Sequence, residues 1–321
     1  MRTLTPVIAV VSAVALTVGL AACGSTDDAA SAGAISLQNC GRTVTLDAPA
    51  TRAITVNQGA TESALAVGAG PDLAGTAYLD DAIAPRYQQA YDAVPVLAEK
   101  YPDLETVLSK KPDLVAASYS SAFGDKGIGS RDELGGLGIA TYVSPFGCEN
   151  KADRPATSWD AIAGEASDYG TLFGRTTEAD AENQTMRATL SRLAQAAHGK
   201  GVKVLWWDNE TTAPSVGAGQ GGPQLIMEAV GATNVFAALP GSWADASWEQ
   251  VVAADPEVIV LIDANFSSAE SKRAYLESDP VLRDLKAVQN QAYVVIPFSE
   301  STPGARTIDG AVALSDALGA R

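Results

Sequence analysis

The sequence predicts an α/β fold of two parallel-sheet lobes joined by one long α-helix. Three observations support it. Apolar runs of strand length alternate with helical patterns along most of the chain, as in proteins built on parallel sheets. The longest helical pattern, Thr177 to His198, lies near the middle, with α/β sets of similar size on either side. One helix–proline–strand module also occurs in both sets. The 321 residues are 46% hydrophobic and 19% charged, an ordinary globular composition, and about two domains long.

The elements follow in order. Arg42 to Leu46 alternates as an edge strand does. Ala53 to Asn57 reads as a buried strand, and Gln58 to Thr61 turns into a helix over Glu62 to Val67. Val94 to Leu97 is a short strand; Leu104 to Lys110 is helical and is stopped by Pro112. Leu114 to Ser118 is a strand, Leu134 to Leu137 a helix end, and Ile139 to Val143 the next strand. Trp159 to Phe173 is helical and ends at Gly174. The long helix then puts Ala179, Met186, Leu190, Leu193 and Ala197 near one face, until Gly199 and Gly201 end it. Val202 to Trp206 is a strand, followed by a Gly/Pro-rich loop from Pro214 to Pro223. Helices over Gln224 to Val230 and Trp248 to Ala254 lead to a strand over Val258 to Ile262. Lys272 to Leu276, Val281 to Lys286, Tyr293 to Ile296 and Ile308 to Leu318 complete the second set.

The repeated module is specific in its spacing. Glu105 precedes Pro112 by seven residues, and Glu249 precedes Pro256 by seven. In each copy a helix breaks at proline, an acid follows (Asp113, Glu257), and an apolar strand enters the core. Any β–α–β chain contains helix–Pro–strand junctions, but a shared Glu at a shared distance points to two related lobes.

Charge excludes several functions. Lys+Arg 22 against Asp+Glu 38 gives −16, which would repel a phosphate backbone, so no nucleic-acid partner is expected. One His and three Cys leave little material for a transition-metal site of protein ligands. His198, near a helix end, reads as a helix-end cation rather than a ligand.

The N-terminus reads as an address. After Arg2, Val7 to Leu20 is apolar over the length of a secretory segment, too short for a membrane span. Leu20-Ala21-Ala22-Cys23, followed by small polar residues to Gly33, resembles the lipobox of bacterial lipoproteins. That resemblance implies cleavage before Cys23, lipidation of Cys23, and an anchor on the extracytoplasmic face of the cell membrane. The alternative is an ordinary signal peptide with Cys23 as a bystander. Removing residues 1–22 takes away Arg2 and no acid, so −16 becomes −17. No later apolar run is long enough to span a bilayer. With Cys23 acylated, Cys40 and Cys148 remain in an oxidising compartment, either as a disulfide or as two free thiols.

With these features in order, residues 42 to 321 resemble a substrate-binding lipoprotein of an ABC importer. The similarity is to the ferric siderophore and corrinoid class, whose two Rossmann-like lobes are joined by a single long helix (the class III periplasmic-binding fold). The stretch Gly222 to Phe236 is also similar to one found early in the second lobe of such proteins. The resemblance implies a signal peptide over 1–22, a linker over 23–41, lobes over 42–174 and 201–321, and an interlobe helix over 175–200. It implies a monomer that delivers a large small-molecule ligand to a permease and its ATPase, with Glu105 and Glu249 meeting permease arginines. It implies no catalysis and no resident cofactor, since the ligand carries its own metal.

Ligands of open parallel sheets bind outside the carboxyl ends of the strands. Those ends offer Asn57, Gln58, Thr61, Tyr78, Lys100, Tyr101, Tyr119, Ser120 and Phe146 in the first lobe. The second offers Trp206, Trp207, Asp208, the Gly217–Gln220 loop with Gln220, Trp243, Asp263, Asn265 and Phe298. The resemblance singles out Trp243, six residues before Glu249, because corrinoid-binding relatives place a Trp there. The set is aromatic and poor in charge, which suits a large, partly apolar ligand. Lys100 stands as the one obvious cleft cation, too little for a strongly anionic ferric catecholate. The order of expectation is therefore ferric hydroxamate, then corrinoid, then haem.

Two rivals are weaker. Ala213-Pro214-Ser215-Val216-Gly217 superficially resembles a nucleophile elbow. It lacks the first Gly, and His198 precedes Ser215 rather than following it, so a serine hydrolase is remote. Gly217 to Gly222 does not match the dinucleotide fingerprint and has no phosphate-binding Lys after it.

Overall fold

The computed structural model describes residues 33–124 and 126–321, so the expected signal peptide and Cys23 lie outside the described residues. A hairpin comes first, β1 (Ile35–Asn39) antiparallel to β2 (Arg42–Leu46). The first sheet holds β3 (Ala53–Val56), β4 (Leu73–Ala77), β5 (Val96–Ala98), β6 (Leu114–Ala117) and β7 (Ala140–Val143). Its order is β5-β4-β3-β6-β7, and every pair is parallel. The central strands β3 and β6 are buried at every position, as expected of a parallel sheet covered on both faces.

The second sheet holds β8 (Lys203–Asn209), β9 (Ser215–Gly217), β10 (Thr233–Asn234), β11 (Trp243–Asp245), β12 (Val258–Asp263) and β13 (Tyr293–Pro297). Its order is β11-β9-β8-β12-β13, with β10 also paired to β8. β8, β10, β12 and β13 run parallel, whereas β9 and β11 add an antiparallel edge. The expected parallel sheet thus carries an antiparallel edge, and β9 replaces part of the loop expected over 214–223.

The second lobe has a core on each face of its sheet. Val204 and Trp206 of β8 join Val258, Val260 and Ile262 of β12 on one face. Leu205 and Trp207 join Ile259 and Leu261 on the other. Successive side chains of a strand point to opposite faces, so neighbouring tryptophans enter different cores.

The helix Thr176–Ala196 links the lobes and spans 21 residues, roughly 30 Å at 1.5 Å per residue. It ends two residues earlier than the sequence pattern suggested. Ala197 takes a left-handed backbone, with φ 43°, and its N–H bonds to the Leu193 carbonyl. Its apolar stripe serves both lobes. Ala179 packs into the first core, and Leu193 into the second. Met186 sits in a bridging patch with Ile162, Ala163 and Leu225. His198, just past the helix, donates from Nδ1 to the Ser315 carbonyl, 3.0 Å away.

Cys40 and Cys148 form a disulfide that ties the hairpin to the end of β7. The pairing closes 108 residues, which in the chain-entropy model stabilises the fold by about 4–5 kcal/mol.

The two copies of the helix–proline–strand module fold alike. The helix Leu104–Ser109 is capped by Asp103, which accepts from Thr106 N at 2.7 Å; Trp248–Ala254 is capped by Ser247 in a capping box with Gln250. The residue before each proline is left-handed: Lys111 at φ 50° and Asp255 at φ 47°. The acid after each proline binds the start of the neighbouring central strand. Asp113 accepts from Thr51 N (2.8 Å) and Arg52 N (3.1 Å), and Glu257 accepts from Lys203 N (3.0 Å). Arg52 and Lys203 in turn donate to the helix-end carbonyls of Lys110 and Ala254.

Candidate functional site

In the first sheet, β3 is followed on one side by β4 and β5 and on the other by β6 and β7. The strand order reverses between β3 and β6, and a crevice outside that reversal is the standard ligand position of such sheets. A cavity of about 1170 Å³ opens there, walled by residues from both lobes. That is at the upper end of small-molecule sites, and far larger than an amino acid or a single sugar requires.

The first-lobe wall begins where β3 ends. Asn57 has φ 74° and ψ 157°, a region that non-Gly residues rarely enter, at a cost of order 1–3 kcal/mol. The bend swings the chain directly into the helix Gln58–Ala66 and brings Gln58 to the cavity. After β6, Tyr119 and the serines around it form the floor. The Ser118 hydroxyl accepts from Ala60 N at 2.9 Å, locking the two strand ends together. Gly147 lets the segment after β7 approach, since a Cβ there would lie 1.9 Å from the Ser118 carbonyl oxygen. Phe146 then faces the cavity.

The second-lobe wall is Asp208 and Asn209 at the end of β8, Gln220, Trp243 on β11, Phe266 after β12 and Phe298 after β13. Phe266 and Phe298 meet edge to face, with ring centroids 5.4 Å apart. Phe266 is 58% exposed and presents its ring to the cavity.

Of the residues nominated from sequence, Gln58, Tyr119, Gln220, Trp243 and Phe298 come together at this cavity, with Ser120, Phe146 and Asp208. Several others do not. Trp206 and Trp207 are fully buried in opposite cores. Trp207 donates its Nε1 to the Asn209 carbonyl at 2.8 Å and packs edge to face on Trp248. They precede the strand's carboxyl end by three and two residues, so they belong to the sheet and not to the mouth. Tyr78 and Tyr101 pair edge to face at 4.8 Å beside the cavity. Lys100 lies over the Tyr78 ring at 4.3 Å rather than in the wall. Asn57 is buried, Thr61 bonds Thr55 and Thr76 inside the lobe, Asp263 accepts from Ala269 N at 2.8 Å, and Asn265 is exposed outside the wall.

The sequence reading found Asp208 but missed the other charges that line the cavity. Lys151 and Arg154, from the segment after the disulfide, are its cations; Asp80 and Glu165 join Asp208 as its carboxylates. Burial pushes all three acids up, Asp80 and Asp208 to about 6 and Glu165 to about 7. Asp81 adds to the rise at Asp80 while Lys100 opposes it; Lys272 opposes the rise at Asp208.

Behind the cavity a buried ion cluster spans the lobes. Arg306, 6% exposed, contacts Glu300 beside it and Glu62 and Asp81 of the first lobe, the latter two at 3.5 Å. Ser299 donates to Asp81 through both N (3.0 Å) and Oγ (2.8 Å), and Arg86 pairs with Asp309. The C-terminal segment is therefore fixed to the first lobe at the base of the cleft.

A family model described as "periplasmic binding protein" matches residues 54–300. The chain belongs to that family. Its members are extracytoplasmic substrate-binding proteins, the class already suggested by the module pair and the long helix. Among solved structures, a periplasmic binding protein from Veillonella parvula is 25% identical with a TM-score of 0.78, covering 90% of this chain and 98% of its own. An Fe3+-hydroxamate transport protein from Saccharomonospora viridis is 23% identical at TM-score 0.73, covering 89% and 99%. A vitamin B12 binding protein from Vibrio cholerae is 23% identical at TM-score 0.57, covering 84% and 97%. No curated protein matches the sequence. Glu105 and Glu249, the predicted permease contacts, are both exposed at the second position of their helices. Each helix runs back along the sheet before its strand returns, which puts both carboxylates toward the cleft side of their lobes.

Proposed function

We propose that this protein captures a large ferric chelate of the hydroxamate type and delivers it to an ABC permease. The observation that carries the reading is the cavity of about 1170 Å³ between the lobes, walled by Tyr119, Phe146, Trp243, Phe266 and Phe298. Aromatic rings cover a bulky, partly apolar ligand at low entropic expense, and the few polar groups orient it. A multiply anionic catecholate would meet Asp80, Asp208 and Glu165. An uncharged trihydroxamate core would not be repelled, and Lys151 and Arg154 are suited to donate to its oxygens.

Haem is disfavoured by the donors available. Ferric haem needs an axial ligand such as His or a tyrosinate. His198 is bonded to Ser315 away from the wall, and the Tyr119 hydroxyl is pushed well up by desolvation, with Asp80 and Asp208 adding to the rise. A corrinoid remains the second reading, favoured by the position of Trp243 in the wall. Intrinsic Trp fluorescence titrated with a ferric trihydroxamate, cobalamin and haemin tests this. Saturable quenching is expected with the first at the lowest concentration. Saturation by cobalamin or haemin alone would replace the hydroxamate reading.

Membrane attachment through lipidated Cys23, outside the described residues, and docking through Glu105 and Glu249 complete the proposal. Each exposed carboxylate pair would contribute under about 1 kcal/mol, so the acids serve alignment more than affinity. Glu105→Ala combined with Glu249→Ala is expected to leave ligand affinity unchanged and abolish uptake in cells. Normal uptake would remove the docking role.

A further inference from the structure

The cavity contains acceptors without donors. Asp208 ends β8 in the cavity wall, is only 8% exposed, and its Oδ1 has no hydrogen-bond partner. Gln58, 2% exposed on the opposite wall, gives its Nε2 protons to Glu62 and Ala82, and its Oε1 is likewise unpartnered. Asp80 enters the same wall from the segment after β4. Asp80 of the first lobe and Asp208 of the second line the same cavity as Tyr119, so both lobes present a carboxylate to it. Buried polar atoms are nearly always satisfied, so acceptors left open in a ligand cavity mark where a ligand supplies hydrogens.

Lys100 and Lys272 act on Asp80 and Asp208 through their charge, but no cation among the described residues hydrogen-bonds to Asp208 Oδ1 or Gln58 Oε1. Lys272, behind Asp208, has its ammonium committed to the carbonyls of Ile262 and Ser267. Lys100 sits over the Tyr78 ring. Lys151 and Arg154 line the cavity but are not among the charges that act on Asp80 or Asp208. A group with several N–H donors and a positive charge fits two carboxylates and an amide oxygen, and an ammonium has three such donors and no acceptor. The Tyr119 and Trp243 rings in the same wall suit a cation by their π faces.

We propose that the cleft selects chelates bearing a protonated primary amine, seated between Asp80 of the first lobe and Asp208 of the second. This rests on the chelate reading above and narrows it to a cationic ligand: an uncharged ferric trihydroxamate core with an ammonium tail.

The test compares two ferric complexes by isothermal titration calorimetry on the wild-type protein. One is a linear trihydroxamate ending in a free primary amine; the other is the same chelate with that amine acetylated. The amine form is expected to bind at least tenfold more tightly. Asp208→Asn and Asp80→Asn should each reduce that preference to threefold or less. Equal affinities of the wild type for the two forms would overturn the proposal and leave the chelate reading standing. Preference retained in both variants would overturn the assignment to these carboxylates. Binding of neither form would overturn the proposal and the hydroxamate reading together.

Discussion

The two lobes share their supporting hardware and differ in what they show the ligand. In both, a capped helix breaks at proline after a left-handed residue. An acid then clamps the neighbouring central strand: Asp113 on Thr51 and Arg52, Glu257 on Lys203. Beyond the next strand the likeness ends. The first lobe follows β6 with Tyr119 and a run of serines, whereas the second follows β12 with Asn265 and Phe266 and adds an antiparallel edge that carries Trp243. The duplicated part holds each lobe's geometry. The unduplicated parts, at carboxyl ends of strands or on added edges, line the interlobe cavity, where the proposal places recognition.

Breaking the joint between the lobes should have the largest effect. Arg306→Ala leaves Glu62, Asp81 and Glu300 facing one another in the interior without their cation. Removing one partner of a buried ion cluster costs about 3–5 kcal/mol, and chemical denaturation should show a loss of that size. A loss under about 1 kcal/mol would mean the lobes are held by apolar packing and the linking helix alone.

A pair of tryptophans sharpens the division between support and recognition. Trp206→Ala empties a site in a fully buried core and should lower stability by about 3–5 kcal/mol. Trp243→Ala, in the half-buried cavity wall, should leave the melting temperature nearly unchanged and weaken chelate binding tenfold or more. The reverse pattern would exchange their roles.

The matched acids give the smallest effect and the closest comparison. Asp113→Asn and Glu257→Gln each weaken a charge-assisted bond to a strand's backbone N–H, for about 1 kcal/mol apiece. Similar losses in urea unfolding would support equivalent roles. A loss in only one lobe would make the resemblance superficial.

The support was more legible in the sequence than the recognition surface, and the reason is physical. β3, β6, β8 and β12 are buried on both faces and therefore write continuous apolar runs. β4, with the sequence Leu-Ala-Gly-Thr-Ala, is built from small residues because its neighbours crowd it. A Cβ at Gly75 would lie 2.6 Å from the Leu97 side chain. That strand went unread, and with it the position of Asp80 at the cleft. The buried bonds of Arg306 join residues more than two hundred positions apart, for which no local pattern exists. Trp206 and Trp207 misled for the opposite reason. Large aromatics near a strand end look like ligand contacts, yet whether they face a core or the mouth depends on where the strand stops, and β8 continues to Asn209.

A crystal structure of the protein with a ferric trihydroxamate, with iron located by its anomalous scattering, tests the central claim most directly. The account predicts one iron inside the interlobe cavity, between Tyr119 and Trp243. An iron bound anywhere else on the surface, or a cleft that stays empty at saturating chelate, would contradict it.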